Sequence, residues 1–175
     1  MPFANGRELL ALCERNGWPL SRAMRERELS LGRETDAEIT ARLRQTIDVM
    51  RLSCREPLET PAQVIGGMIG GEGRRLMARE RDGLSICGGL MTRAMAYAVS
   101  VMEQNSAMGR VVAAPTAGSS GVLPGVLFAL AEERGLTDEA LCDGLLCAGA
   151  IGYLYVRNAT VAGASRSSAR GWSRS

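Results

Sequence analysis

From Gly83 to Ala164 the chain carries only ten charges in 82 residues, and its segments are apolar around most of their circumference. Such segments have no polar face to give to water, so they must pack as buried elements. Glycine punctuates them throughout, 21 times in 175 residues. Aromatic residues make up only 4%, which leaves an aliphatic core. The length suits one domain, expected over residues 1–164. Residues 165–175 form a serine- and arginine-rich tail without acids or aliphatic Leu, Ile or Val, and this composition predicts disorder.

The local signals are helical. The N-terminal part reads as short amphipathic helices. Thr35 and Glu38 have capping-box spacing, so a helix is expected to follow. Ile39, Leu43, Ile47 and Met50 recur on one stripe, leaving Arg42, Arg44 and Asp48 in water. Thr60 and Pro61 offer another helix start. Gly66 to Gly73 is too glycine-rich for a helix interior. Leu90 to Met102 reads as helix, ended near Asn105 to Gly109. Val111 to Ala114 is short and β-branched, Pro115 stops it, and Thr116 to Gly121 reads as a turn-rich loop. A helix from about Val122 to Arg134 should end on a left-handed Gly135. A last helix opens at Thr137 and runs to about Val156. The expected fold is all-α.

All 21 basic residues are Arg, and there is neither Lys nor His. This excludes a Ser-His-Asp triad, a Cys-His pair, His-ligated zinc, a lysine Schiff base and a P-loop lysine. Without residues 165–175 the sum is 18 Arg against 19 acids, so a nucleic-acid footprint is not supported. The longest uncharged stretch, Val111 to Ala131, contains prolines and hydroxyls and makes a poor membrane helix. Five cysteines, without a CxxC pair and without a signal peptide ahead of them, point to a reducing cytoplasm. Each is expected to act as a small core hydrophobe. Cys142 and Cys147 stand about 140° apart on one helix, too far around to share a metal. Met91, Met95 and Met102 fit an apolar helix stripe.

Two segments could bind a ligand. The glycine cluster fails as a dinucleotide fingerprint because Leu76 replaces the third glycine. It fails as a P-loop because Glu72 and Gly73 stand where Lys and Ser or Thr belong. The Pro115 to Gly121 segment presents small residues with consecutive N–H groups ahead of a helix. That makes an anion nest suited to a substrate carboxylate, with hydroxyls from Thr116, Ser119 and Ser120. A tight turn between two buried helices accounts for the same residues.

Taken together, Asn105 to Gly109, Pro115 to Gly125, Ala148 to Gly152 and Asn158 to Ala164 resemble the alpha subunit of bacterial iron-sulfur-dependent L-serine dehydratase, also called L-serine ammonia-lyase. The Gly66 to Glu72 cluster is similar to that family's glycine-rich motif, and coverage runs from about residue 4 to 164. The resemblance implies an all-α catalytic domain that converts L-serine to pyruvate and ammonia through a 4Fe-4S Lewis acid, without pyridoxal phosphate. It implies a pocket formed by Gly70, Gly71, Asn105, Thr116, Ala117, Gly118, Ser119, Ser120 and Gly121, with no catalytic base singled out. It also implies an oligomer and a beta subunit or beta domain. After Ala164 the family continues into a Gly-Gly-Cys-Gln segment whose cysteine binds the cluster. None of the five cysteines here matches a ligand position, so the expectation is a truncated chain, inactive alone. The alternative is a non-enzymatic helical subunit that binds a partner.

Overall fold

The computed structural model describes residues 3–60, 67, 69–113 and 117–158, and all regular structure among them is α-helical. Seven helices follow in order: α1 (Gly6–Asn16), α2 (Leu20–Ser30), α3 (Asp36–Glu59), α4 (Glu72–Arg81), α5 (Gly89–Ser106), α6 (Ala117–Arg134) and α7 (Asp138–Asn158). They divide between two compact units, one of residues 1–39 and 143–175 and one of residues 40–142. The expected helix start at Thr60 and Pro61 and the tail at 165–175 lie outside the described residues, apart from Thr60 itself, which follows α3.

In the first unit, Phe3, Leu9, Leu12, Ala23 and Ala150 form the core, flanked by Trp18, Met24, Tyr153 and Leu154. Asn5 caps α1 by accepting from the Glu8 N–H, and the Glu8 carboxylate returns to the Ala4 N–H. Gly17 ends α1 in the left-handed conformation, φ 63°. The Arg27 guanidinium stacks 3.8 Å from the Tyr153 ring centroid, so a cation lies against the apolar core without leaving its charge unsupported.

α3 begins at the expected capping box, where the Thr35 N–H donates to Glu38 Oε2 and the Glu38 N–H donates to Thr35 Oγ1. The Thr35 N–H, and then its hydroxyl, donate to the Glu38 carboxylate and hold it below its ordinary 4.5. The stripe of Ile39, Leu43, Ile47 and Met50 is buried as its spacing requires. Gly135 adopts φ 61° after α6, also as expected.

The second unit is organised about α5. α4 and α6 both run antiparallel to it and lie on roughly opposite faces. On one face Gly73 meets Ala96 and Ser100, and Glu80 pairs with Arg93 at 2.9 Å. On the other, Gly121 and Gly125 sit against Ala98 and Ala94. A methyl group on Gly121 would lie 2.4 Å from the Ala98 carbonyl oxygen, and one on Gly125 2.6 Å from that of Ala94. The helices touch backbone to backbone, which only glycine permits at these positions. Arg93 also reaches Glu133 at 3.6 Å, while Glu132 accepts from Tyr97 at 2.6 Å and Arg55 at 2.9 Å.

Three expectations are corrected. The turn-rich loop of residues 116–121 is helix from Ala117 onward, because contact with α5 offsets the low helix propensity of Gly118 and Gly121. Cys87 is exposed rather than core, since it sits in the turn ahead of α5. Met91 is 56% exposed and leaves the predicted stripe, because α6 lies against the face bearing Ala94 and Ala98. No strand forms at residues 111–113, which have no regular structure. Among the described helices, α7 alone is long and apolar enough to cross a membrane. It buries Leu141, Cys142, Leu146 and Ala150 within the protein and carries Asp143 partway along, as a core-facing amphipathic helix does.

Gly121→Ala is expected to lower the free energy of unfolding by about 2–3 kcal/mol. Gly118→Ala, where nothing lies within 4 Å of the added carbon, should be neutral or stabilise by roughly 0.5 kcal/mol. Urea unfolding of the two variants beside the parent chain checks the contrast.

Candidate functional site

Those residues singled out by sequence that are described lie toward the C-terminal half of α5, Gly70 and Gly71 beside α4 on one of its faces and residues 117–121 in α6 on another. Because α4 and α6 are both antiparallel to α5, their N-termini lie toward that end. Gly71 is the N-cap of α4 and adopts φ 81°, the left-handed region open to glycine. Gly70 precedes it. Asn105 is the penultimate residue of α5, exposed, and its carbonyl accepts from the Met108 N–H at 3.1 Å.

The Gly109 N–H donates to the Gln104 carbonyl at 2.8 Å. These two bonds end α5 with Met108 held at φ 60°, the only non-glycine residue with positive φ among those described. Strain is therefore stored beside Asn105, on a side chain that is 81% exposed.

α6 opens with Ala117, Gly118, Ser119 and Ser120. Gly118 is exposed, Ser119 half-buried and Ser120 buried. Gly121 is used for packing on Ala98, so its part is to bring α6 close to α5 rather than to face a ligand. Thr116 lies outside the described residues.

Around the glycine turn, Glu72 is the first residue of α4. Its carboxylate accepts from the Gly70 N–H and pairs with Arg75 at 2.8 Å. The Gly70 N–H, then its own N–H, hold the Glu72 carboxyl below its ordinary 4.5, helped by contact with the Glu103 side chain and by Arg75, while burial opposes. The nest made by Gly70 and Gly71 is thus filled by the chain's own acid. A cleft of about 610 Å³ lies beside this turn, lined by Ile69, Glu72, Arg75, Leu76, Val99 and Met102. It is apolar except at Glu72 and its arginine neighbours.

Glu103 was not singled out by sequence. It is 0% exposed, on the face of α5 that carries Ala96 and Ser100. Its Oε1 accepts from the Gly73 N–H at 3.1 Å, and so supplies from another helix the cap that the α4 N-terminus lacks in its own sequence. Its Oε2 has no hydrogen-bond partner among the described residues. Burying a carboxyl with an unsatisfied oxygen opposes folding by an amount on the order of 1–3 kcal/mol. The one available signal is a lone acid in an otherwise uncharged helix stretch, three residues after Ser100.

The five cysteines have different settings. Cys54 is buried in α3, Cys142 is buried in α7, Cys87 is exposed in the turn before α5, and Cys13 and Cys147 are half-buried. Burial pushes the Cys54 thiol up to about 12 and raises that of Cys147, which disfavours the thiolate that a metal requires. Among the described residues no three of His, Cys, Asp and Glu are placed to hold a metal ion.

The family model described as serine dehydratase alpha chain matches residues 15–168. The probable L-serine dehydratase alpha chain of Bacillus subtilis (strain 168) is 34% identical over 163 residues, which are 93% of this chain and 54% of the relative. The L-serine dehydratase alpha chain of Peptoniphilus asaccharolyticus is 35% identical over 158 residues, 90% of this chain and 54% of the relative. The L-serine dehydratase of Streptomyces coelicolor is 36% identical over 168 residues, 93% of this chain and 36% of the relative. The chain spans about half the length of the first two curated relatives and about a third of the last.

Two measurements follow from this geometry. At pH 8 a thiol with a pKa of about 12 is ionised in about one molecule in ten thousand. A thiol reagent should therefore label Cys87 at once and Cys54 only after denaturation, as peptide mass spectrometry would show. The folded Glu72 carboxyl lies below its unfolded value, so its stabilising contribution is present above about 4.5 and is lost as pH falls through the lower folded value. Glu72→Gln should flatten the loss of stability on the acid side of pH 4.5 in a series of urea titrations.

Proposed function

The chain belongs to the serine dehydratase alpha-chain family, and from that membership we propose that it supplies the helical substrate-binding part of an L-serine ammonia-lyase, which converts L-serine to pyruvate and ammonia. The reading rests above all on the match of residues 15–168 to the serine dehydratase alpha-chain family model, together with the likeness to alpha chains named L-serine dehydratase. The gathering of the glycine turn, Glu103 and the start of α6 about one half of α5 supports it. Removal of the α-proton and the β-hydroxyl leaves an enamine, whose imine form hydrolyses to pyruvate and ammonia.

In this reading the substrate carboxylate lies at the first turn of α6, where the helix dipole favours an anion. The positions involved are Thr116, Ala117, Gly118, Ser119 and Ser120, with Gly121 setting the approach of α6 to α5. Gly70 and Gly71 shape the turn beside the apolar cleft, and Asn105 borders the same end of α5. The cofactor implied by the family resemblance is a 4Fe-4S cluster. The cysteines of this chain do not fit it, burial holding Cys54 and Cys147 as thiols, so no step is assigned through it. We place its ligands in the part of the enzyme that the longer relatives have and these residues do not, or in a separate beta chain, within an oligomer. Pyridoxal phosphate has no lysine here to bind it. A chain with five free cysteines suits the reducing cytoplasm.

Exposed Ile151, Tyr155 and Val156 near the end of α7 favour the second reading, a helical subunit whose task is to bind a partner.

Anaerobic treatment of the pure chain with iron and sulfide is expected to give no cluster absorbance in the visible range and no pyruvate from L-serine. L-Serine alone should raise its unfolding temperature in a saturable way, because a ligand of the folded state stabilises it. Pyruvate from the pure chain would overturn the proposed division of labour, and an unfolding temperature indifferent to L-serine would overturn the substrate-binding role.

A further inference from the structure

We propose that Cys13 and Cys147 are a redox modification site, joined in a reversible disulfide when the folded chain meets a low-molecular-weight disulfide such as oxidised glutathione. The pairing stands whichever reading of the function holds. Both residues belong to the first unit, whereas Cys54, Cys87 and Cys142 belong to the second. The order of contacts along α7 fixes the directions of its neighbours. Ser21 meets Cys147, Met24 meets Gly149 and Arg27 stacks on Tyr153, so α2 runs parallel to α7. Only residues 17–19 separate α1 from α2, so α1 folds back on α2 and is antiparallel to α7. Accordingly, a methyl group on Gly6 would touch the Leu154 side chain at 3.9 Å, and Phe3 meets Tyr153 edge-on with 5.5 Å between ring centroids. Cys13 is seven residues after Gly6, and Cys147 is seven before Leu154. Seven residues make two helical turns to within about 20°, so the contact of Gly6 with Leu154 is repeated two turns on by Cys13 with Cys147. Cys13 packs on the core cluster that holds Ala150, three residues beyond Cys147.

The surroundings of Cys147 suit the exchange. Its sulfur accepts from the Ser21 N–H, in the first turn of α2, a helix whose N-terminus has no side-chain cap of its own. Burial raises the Cys147 thiol, the Ser21 N–H opposes, and charge on Asp143 and on Cys13 adds to the rise. The first attack therefore falls to Cys13. Its thiolate attacks one sulfur of the reagent, the reagent S–S bond breaks, and one reagent thiolate leaves. Cys147 then gives its proton to water, with the Ser21 N–H and the α2 dipole supporting the charge. It attacks the Cys13 sulfur of the mixed disulfide and expels the second reagent thiolate. Two protein thiols are oxidised to one disulfide, one reagent disulfide is reduced to two thiols, and excess reduced reagent reverses both steps. A disulfide of this transient kind is compatible with a reducing compartment. It ties α1 to α7 across most of the chain, which narrows the unfolded ensemble and stabilises the folded one.

The test adds oxidised glutathione to the full chain, folded in one sample and in urea in another. Remaining thiols are alkylated, and the chain is cut after arginine and before aspartate, which separates Cys147 from Cys142 at Asp143. Mass spectrometry of the folded sample should show about tenfold or more of the Cys13–Cys147 peptide pair over any other internal pair, because folding raises the effective concentration of these two thiols. That excess should vanish in urea. Oxidation should raise the unfolding temperature of the parent chain, and dithiothreitol should return it. Cys13→Ser should abolish the rise. Circular dichroism reports whether that variant folds, and should it not fold, the peptide yields of the parent chain decide alone. Glutathione adducts without the internal link, a link present at the same share in urea, or an equal rise in folded Cys13→Ser overturns the pairing.

Discussion

The second unit depends on the backbone contact between α5 and α6. Gly121 and Gly125 on one helix and Ala94 and Ala98 on the other are spaced four residues apart, so each pair lies on one face of its helix. Removal of side chains from the seam lets the two backbones approach until a Cβ on Gly121 would lie 2.4 Å from a carbonyl oxygen. That approach aligns the helices antiparallel and sets the start of α6 toward the C-terminal half of α5. On the opposite face Gly73 performs the same service for α4, against Ala96 and Ser100. Three glycines thus determine where two helix N-termini lie. The polar network of Arg93, Glu80, Glu132 and Tyr97 then ties the flanking helices to α5 further along its length.

With aromatics scarce, this packing leaves α5 with small residues where most buried helices carry Leu or Phe. One consequence is that Glu103 is covered by the close approach of α4 instead of by bulky neighbours. Its carboxyl caps a helix whose own N-cap, Gly71, has no side chain to do so. A cap needs one oxygen. Asn or Gln would serve that purpose without charge, so capping alone does not account for an acid at this depth. The surplus of acceptor capacity separates Glu103 from the other buried polar residues of α5. Ser100, for example, returns its hydroxyl proton to the carbonyl one turn back.

Much of this was legible along the chain because it was local. The capping box at Thr35, the stripe from Ile39 to Met50 and the left-handed Gly135 each depend on residues within a turn or two of one another, and each stands where the sequence implies. The segment from Ala117 to Gly121 was misjudged because glycine and serine mark a loop by propensity, while here a partner helix decides. Nothing in that segment announces Ala94 and Ala98, some 23 residues earlier. Glu103 was passed over for the same reason, since its meaning comes from Gly73, 30 residues away. Exposed Met91 and Cys87 show the reverse error: apolar side chains were assigned to the core by type, and the side of α5 that met a neighbour was another one.

The motif most characteristic of the family resemblance, Pro115 to Gly125, therefore carries two separate physical demands. At Gly121 and Gly125 the demand is steric and would hold whether or not a ligand were present, since the seam with α5 admits no side chain. At Gly118 packing makes no such requirement, for open space lies where a Cβ would stand. A resemblance that rests on the whole motif therefore speaks for the fold through its later glycines. A chain could keep the seam and the fold while its earlier residues change, and it would still match the family. Membership thus bears most directly on the helical scaffold, which the glycine seam holds whatever its ligand.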